Sequence, residues 1–120
     1  MKSPEHDLQM TVTQFLTLAL PKGVVWTAVD HGAGKISKVA GGQRKARGVK
    51  AGQADYRFVL PPDGRSAEIE LKAPGGYQSA LQKDWEARVL AAGGLYLVCR
   101  SLAEVQGALT AWGVLPRRVA

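Results

Sequence analysis

Two short runs of alternating apolar and polar residues, Asp55-Tyr-Arg-Phe-Val-Leu60 and Ala67-Glu-Ile-Glu-Leu-Lys72, stand on either side of Pro61-Pro-Asp-Gly64. Alternation with a period of two marks a half-buried strand, and a Pro/Gly cluster between two such runs marks a β-hairpin. Centring the turn between Pro62 and Asp63 pairs Leu60 with Arg65 and, at the open end, Asp55 with Glu70. The register is tightly constrained, because a slip of one residue would turn every side chain to the other face. In this register Tyr56 meets Ile69 and Phe58 meets Ala67, which with Leu71 form an apolar face. Arg57 meets Glu68 on the other face as an opposite-charge pair. That second face also carries Asp55, Glu70 and Lys72.

Directly opposed residues have Cβ atoms about 5 Å apart, and like charges at that distance destabilise a sheet unless something neutralises them. A divalent cation would do so. Hard cations such as Mg²⁺ take oxygen ligands, typically one or two carboxylates completed by waters and substrate phosphates. Lys72 would lie beside such a cation, where an ammonium can orient an attacking water and offset charge building on a phosphate. A solvated strand face with the charge pattern Glu68, Glu70, Lys72 is the competing reading. It leaves Asp55 opposite Glu70 with no compensating partner.

The remaining chain surrounds this hairpin with helices and two more strands. Ser3-Pro4 predicts a helix start, and Leu8, Val12, Phe15, Leu16 and Ala19 recur at helical spacing until Pro21 and Gly23. Glu5 lies at the inward edge of that stripe, either directed toward the acid pair or complementing the helix dipole. Gly23 to Val29 is a β-branched and aromatic run expected as a strand, and His31 after it is read as a loop residue rather than a ligand. Residues 32 to 53 hold six glycines and six cations, Lys35, Lys38, Arg44, Lys45, Arg47 and Lys50, with no acid. Without a periodic apolar face, this segment is expected to be a flexible basic loop that tracks a DNA backbone. Gly32-Ala-Gly-Lys-Ile-Ser37 lacks the spacing of a nucleotide-binding phosphate loop, so no nucleotide cofactor is expected.

Beyond the hairpin, Ser79-Ala-Leu-Gln82 has the spacing of a capping box, opening a helix with Leu81, Trp85, Val89 and Ala92 inward. Gln82 either caps that helix or points toward the acid pair. Leu95 to Cys99 is a continuous apolar run read as a buried strand, with Arg100 at its end placed to reach DNA or a carboxylate. Ser101-Leu-Ala-Glu104 is a second capping box, opening a helix with Leu102, Val105 and Leu109 inward. The hairpin is antiparallel. The last strand follows a crossover helix and is therefore expected to run parallel to a member of the hairpin, giving an α/β domain with a mixed sheet.

A length of 120 residues sets one domain, and the formal net charge of +6 suggests a polyanionic partner. The lone Cys99 permits no internal disulfide and is expected as core filler in a reducing compartment. The apolar run from Phe15 to Leu20 is too short and too flanked by acids for a signal peptide, and no stretch approaches a membrane span.

Asp55 followed by Glu70-Leu71-Lys72 resembles the PD-(D/E)xK nuclease superfamily. Within it, Glu70-Leu-Lys-Ala-Pro-Gly-Gly76, Gln82 on a helix and Leu97-Val-Cys-Arg-Ser101 before a last helix are similar to the VRR-NUC branch. An N-terminal helix opening with Glu5 fits that branch too, so the resemblance covers nearly the whole chain as a single domain, 1–120. It implies a restriction-endonuclease-like core, a mixed sheet with flanking helices in the order α-β-β-β-α-β-α. It further implies a Mg²⁺-dependent endonuclease, with Mn²⁺ able to substitute. Asp55, Glu70 and the Leu71 carbonyl would hold metal, Lys72 would activate water, and Glu5, as a further acid, and Gln82 would assist. Stand-alone members are phage or bacterial proteins of replication and repair, some resembling Holliday-junction resolvases and acting as homodimers. Branched or structured DNA as substrate, a homodimer and a cytoplasmic location are implied accordingly. A flap or single-strand nickase, and a catalytically inert nucleic-acid-binding module of the same fold, are the alternatives.

Overall fold

Both runs of the hairpin form strands, β2 (Tyr56–Leu60) and β3 (Arg65–Leu71), paired antiparallel from Tyr56↔Ile69 through Phe58↔Ala67 to Leu60↔Arg65, the expected register. This computed structural model describes residues 3–31 and 38–117. Strand β1 (Val25–Ala28) runs antiparallel to β2, and β4 (Leu95–Cys99) runs parallel to β3, giving a four-stranded mixed sheet in the order β1-β2-β3-β4. The parallel pair is joined by α3 (Ala80–Ala91), since a parallel connection needs a crossover long enough to return the chain.

One face of the sheet carries the core. Tyr56, Phe58, Leu60, Ala67, Ile69 and Leu71 are buried there against Val12 and Leu16 of α1 (Pro4–Ala19) and Val105, Ala108 and Leu109 of α4 (Leu102–Ala111). Ser3 caps α1 by accepting from the His6 amide, and Ser101 caps α4 by accepting from that of Glu104. Glu104 reaches back to the amide of Arg100 rather than to that of Ser101. The Tyr56 ring is buried but its hydroxyl finds partners on α1, donating to the Gln9 carbonyl at 3.0 Å and sharing a 2.6 Å bond with Thr13. Cys99 is buried in the core, as its apolar strand predicts, and burial pushes its thiol up to about 11.

The opposite face differs from a solvated polar surface. Glu68 is 3% exposed and Glu70 1% exposed, because α3 lies over the β3–β4 half of the sheet. Its seat there is polar: the Trp85 indole donates to Glu68 Oε1 at 2.9 Å, and Arg57 approaches Glu68 Oε2 at 4.0 Å from the open side. The expected inward stripe of α3 is corrected accordingly. Trp85 and Val89 are half-buried, whereas Leu81 and Ala92 are exposed.

The segment expected as a loop over 32–53 is corrected too, since Lys38–Ala46 forms a helix, α2. Gly41-Gly42 in its interior are poor helix formers and hide it from a sequence reading. Gly48, at φ +90, and the 2.9 Å bond from the Val49 amide to the Arg44 carbonyl close its C-terminus in the usual glycine-terminated manner. Lys35 lies outside the described residues. Downstream, Gly52 sits at φ +82 with its backbone against the first turn of α3, where an added Cβ would stand 2.5 Å from the Leu81 carbonyl oxygen. Gly52→Ala is therefore expected to lower the melting temperature by at least about 4 °C, from a left-handed strain of roughly 1–2 kcal/mol at about 4 °C per kcal/mol. Calorimetry returning the wild-type melting temperature would mean that this contact is not made. Among the described residues no helix is long and apolar enough to cross a membrane.

Candidate functional site

The backbone ladder between β2 and β3 stops at Tyr56↔Ile69, and the side chain of Asp55 takes over where it ends. Asp55 Oδ2 accepts the Leu71 amide at 2.7 Å, while the Asp55 carbonyl accepts the Val29 amide at 2.8 Å as β1 runs out beside it. Asp55 is thus fixed from both neighbouring strands, with its carboxylate at the C-terminal end of β3. Its second oxygen, Oδ1, lies 3.4 Å from His31 Nε2. That hydrogen bond raises the His31 pKa above the ordinary imidazole value; desolvation opposes it, Asp55's charge reinforces it, Arg44 opposes it and Asp30 adds to it.

Glu70 is held deeper. Its Oε1 accepts from the Tyr96 hydroxyl at 3.2 Å, and its Oε2 is buried with no hydrogen-bond partner. Burial raises its pKa above the usual carboxylate range; Lys72, Gln78 and Tyr96 pull it back and Asp55 pushes it further up. The Gln78 amide is close enough to act on Glu70, yet its buried Nε2 falls outside hydrogen-bonding geometry with any group. Burial, and then the charge of Glu70, push the Tyr96 phenol well above its ordinary value, so it remains a donor. Lys72 follows at the strand end, half-buried, with its amide bonded to the Cys99 carbonyl at 3.0 Å and no ion pair among the described residues.

This donor set suits a hard divalent cation. Two carboxylates lie near one another, and the buried Glu70 Oε2 has only the Gln78 amide beside it, outside hydrogen-bonding geometry, an arrangement that a shared cation would relieve. Among the described residues no three His, Cys, Asp or Glu side chains converge on one point, so the protein's share would be small: Asp55, Glu70 and the carbonyl of Leu71, whose backbone the Asp55 bond fixes in place. Waters and phosphate oxygens would complete the shell, the usual state of protein-bound Mg²⁺.

The other residues singled out from sequence distribute unevenly. Glu5 is half-buried, one turn before Gln9, and its side chain makes no hydrogen bond or ion pair among the described residues. Gln82 serves its helix: its Oε1 accepts the Ser79 amide at 2.8 Å while its own amide donates to Ser79 Oγ at 3.1 Å. The amide beside Glu70 belongs instead to Gln78, which no periodicity or motif marks out. Arg100, expected to reach DNA or a carboxylate, donates from Nη1 to the carbonyls of Ala73 at 3.1 Å and Gly76 at 2.8 Å. Parallel pairing of β3 and β4 brings their C-terminal ends together, so Arg100 clamps the loop that follows Lys72. Tyr96 was legible in principle, since strand parity places it with Val98 on the face of Glu68 and Glu70.

Beside the acid pair, a cleft of about 660 Å³ opens between α2, the segment after it and α3, lined among others by His31, Arg44, Lys45, Lys50 and Leu81. His31 joins the two features, facing Asp55 on one side and this cleft on the other. Arg44 is steadied by a 3.4 Å bond to the Asp30 carbonyl, whereas Lys38 and Arg47 are exposed outside the cleft.

No family model matches the chain, and no curated protein matches it. Among solved structures it is similar to a VRR_NUC domain protein, with 17% sequence identity and a TM-score of 0.72 over 96% of this chain and 93% of that one. The chain therefore has the fold of a VRR-NUC domain, an α/β mixed sheet with flanking helices.

Proposed function

We propose that this protein is a Mg²⁺-dependent endonuclease that hydrolyses phosphodiester bonds in branched or structured DNA. The observation that carries the reading is the pair Asp55 and Glu70 at the end of the hairpin, with a buried Glu70 oxygen that no protein group satisfies. The likeness in fold to a VRR_NUC domain protein supports it. Bound by Asp55, Glu70 and the Leu71 carbonyl, Mg²⁺ or Mn²⁺ would polarise a phosphate oxygen and lower the pKa of an attacking water. The chain's own part is to hold these groups in place. The Leu71 amide orients Asp55, Tyr96 orients Glu70, and Lys72 orients the water and offsets charge on the phosphate. Glu5 would act as a further acid from α1, and the basic cleft would guide the strand into the site. A role in replication or repair, in the cytoplasm of a bacterium or phage-infected host, and action as a homodimer that meets two strands belong to the same proposal.

A catalytically inert binding module of this fold would have no use for a second buried acid oxygen left without a well-placed donor beside Asp55. The test is a panel of end-labelled single strands, duplexes, flaps and four-way junctions incubated with protein and Mg²⁺. Cleavage of junctions with duplexes spared is expected; cleavage of flaps or single strands alone would establish the nickase instead. Cleavage of none in Mg²⁺ or Mn²⁺ would remove the enzymatic reading. Replacing Mg²⁺ by Ca²⁺ is expected to keep DNA binding and lose hydrolysis, because Ca²⁺ accepts looser geometry with more ligands and is the weaker Lewis acid. Efficient turnover in Ca²⁺ would count against the mechanism.

A further inference from the structure

Tyr77 is 86% exposed, and among the described residues its side chain makes no hydrogen bond and no aromatic ring contact. Its backbone, by contrast, is held on both sides. On the N-terminal side, Arg100 clamps the carbonyls of Ala73 and Gly76, and the Gly76 amide returns to the Ala73 carbonyl at 2.9 Å. On the C-terminal side, Gln78 is inserted with a buried amide beside Glu70, and the Ser79 amide is fixed by Gln82 Oε1 at 2.8 Å. The loop also lies along Lys72, since a Cβ on Gly76 would stand 3.9 Å from Lys72 Cδ. A large aromatic ring is thus presented to solvent from a clamped loop at the edge of the Asp55, Glu70 and Lys72 site.

We infer that Tyr77 is a stacking platform for an unpaired nucleobase next to the scissile phosphate. The inference rests on the nuclease reading and narrows its substrate. An aromatic residue on a clamped backbone, next to the Gly76 that lies along Lys72, is within reach of the base attached to a phosphate that Lys72 handles. Bases inside a duplex already spend both faces on their neighbours, whereas an unpaired or splayed base has a face to offer. Stacking on a side chain is sequence-tolerant because every base has such a face. The clamp matters because a ring carried on a backbone already held in place loses less freedom on binding than one on a mobile loop. The substrate class is therefore branched DNA whose nucleotides at the cleavage point are unpaired or splayed from their partners.

Equilibrium binding by fluorescence anisotropy in Ca²⁺ tests this with the full chain, using a labelled single strand, a splayed duplex and a blunt duplex. Tyr77→Ala is expected to weaken binding to the single strand and the splayed duplex by about 5- to 100-fold, with blunt-duplex affinity unchanged. Tyr77→Phe, which keeps the ring, should bind as wild type does. An abasic site stepped along the splayed strand should weaken wild-type binding at one position and leave Tyr77→Ala indifferent there. Exposure of the ring means that Tyr77→Ala should melt with the wild type. Equal binding by wild type and Tyr77→Ala, or an equal loss on blunt duplex, would overturn the stacking role. So would a Tyr77→Phe as weak as Tyr77→Ala. If the wild type binds none of the three DNAs, the nuclease reading itself falls and takes the platform with it; if it binds and only Tyr77→Ala is silent, the nuclease reading stands.

Discussion

Glu70→Gln is expected to abolish cleavage while raising the melting temperature of the metal-free protein. Glutamine has the same size and keeps an oxygen for the Tyr96 hydroxyl, which lies 3.2 Å from Glu70 Oε1. What it removes is a charge that is 1% exposed and whose second oxygen has no partner. A buried acceptor left unsatisfied costs about 1–3 kcal/mol, and more when charged. The substitution relieves the charge and not the missing partner, because the carboxamide nitrogen takes the place of that oxygen. Removing about 1 kcal/mol of charge burial should raise the melting temperature by about 4 °C in a domain of this size. Catalysis should suffer in the opposite direction. Loss of a ligand to an ion that supplies several kcal/mol of charge stabilisation corresponds to a rate at least about a thousandfold lower, at about 1.4 kcal/mol per factor of ten. Added Mg²⁺ should stabilise the wild type and leave Glu70→Gln unmoved, a thermal readout that needs no substrate. Wild-type cleavage by Glu70→Gln, or equal stabilisation of both proteins by Mg²⁺, would falsify the metal assignment. Asp55 gives no such clean separation, because its Oδ2 also satisfies the Leu71 amide at 2.7 Å and substitution there disturbs the strand end as well as the site.

The contrast between these two acids shows what a sequence carries and what it does not. Register and alternation placed Asp55 and Glu70 together, since pairing in a hairpin is set by local chemistry and one slip would expose the whole core. Serine caps located the starts of α1, α3 and α4, and the crossover rule made β4 parallel. Burial of the acidic face could not be read, because Glu68, Glu70 and Lys72 look like any solvated strand pattern until Trp85 is known to donate to Glu68. The two glutamines divide along the same line. Gln82 sits at capping-box spacing and does what that spacing predicts, whereas Gln78 reaches Glu70 only because the loop after β3 folds back under the Arg100 clamp. Arg100 reads as a strand-end cation placed to reach DNA or a carboxylate, and only the tertiary proximity of β3 and β4 shows the two carbonyls it holds. His31 met Asp55 because β1 pairs with β2 from Val25↔Val59 to Ala28↔Tyr56, a choice of neighbour that no local pattern in the first strand encodes.

Removing the cations of the basic cleft should produce the second large change, in affinity rather than in chemistry. Arg44, Lys45 and Lys50 line the cleft that His31 joins to Asp55, while Lys38 and Arg47, from the same segment, lie outside it. Each cation that neutralises a phosphate releases counterions and adds about 0.9 to the slope of log affinity against log salt on duplex DNA, or about 0.7 on single strands. Arg44→Ala, Lys45→Ala and Lys50→Ala combined should therefore flatten that slope by roughly two to three and weaken binding most at moderate salt. Lys38→Ala with Arg47→Ala removes charge from the same segment and should flatten it far less, since uniform charge attraction and a defined path make different demands on position. Cleavage by saturating enzyme at low salt should largely survive the triple substitution, because Asp55, Glu70 and Lys72 are untouched. Slopes measured by titration in a series of salt concentrations decide the matter. Equal flattening by the two variants would replace the cleft with a diffuse basic surface. A wild-type slope accompanied by lost single-turnover cleavage would make these residues part of the acid site, joined to it through His31, and the division between guidance and chemistry would be wrong.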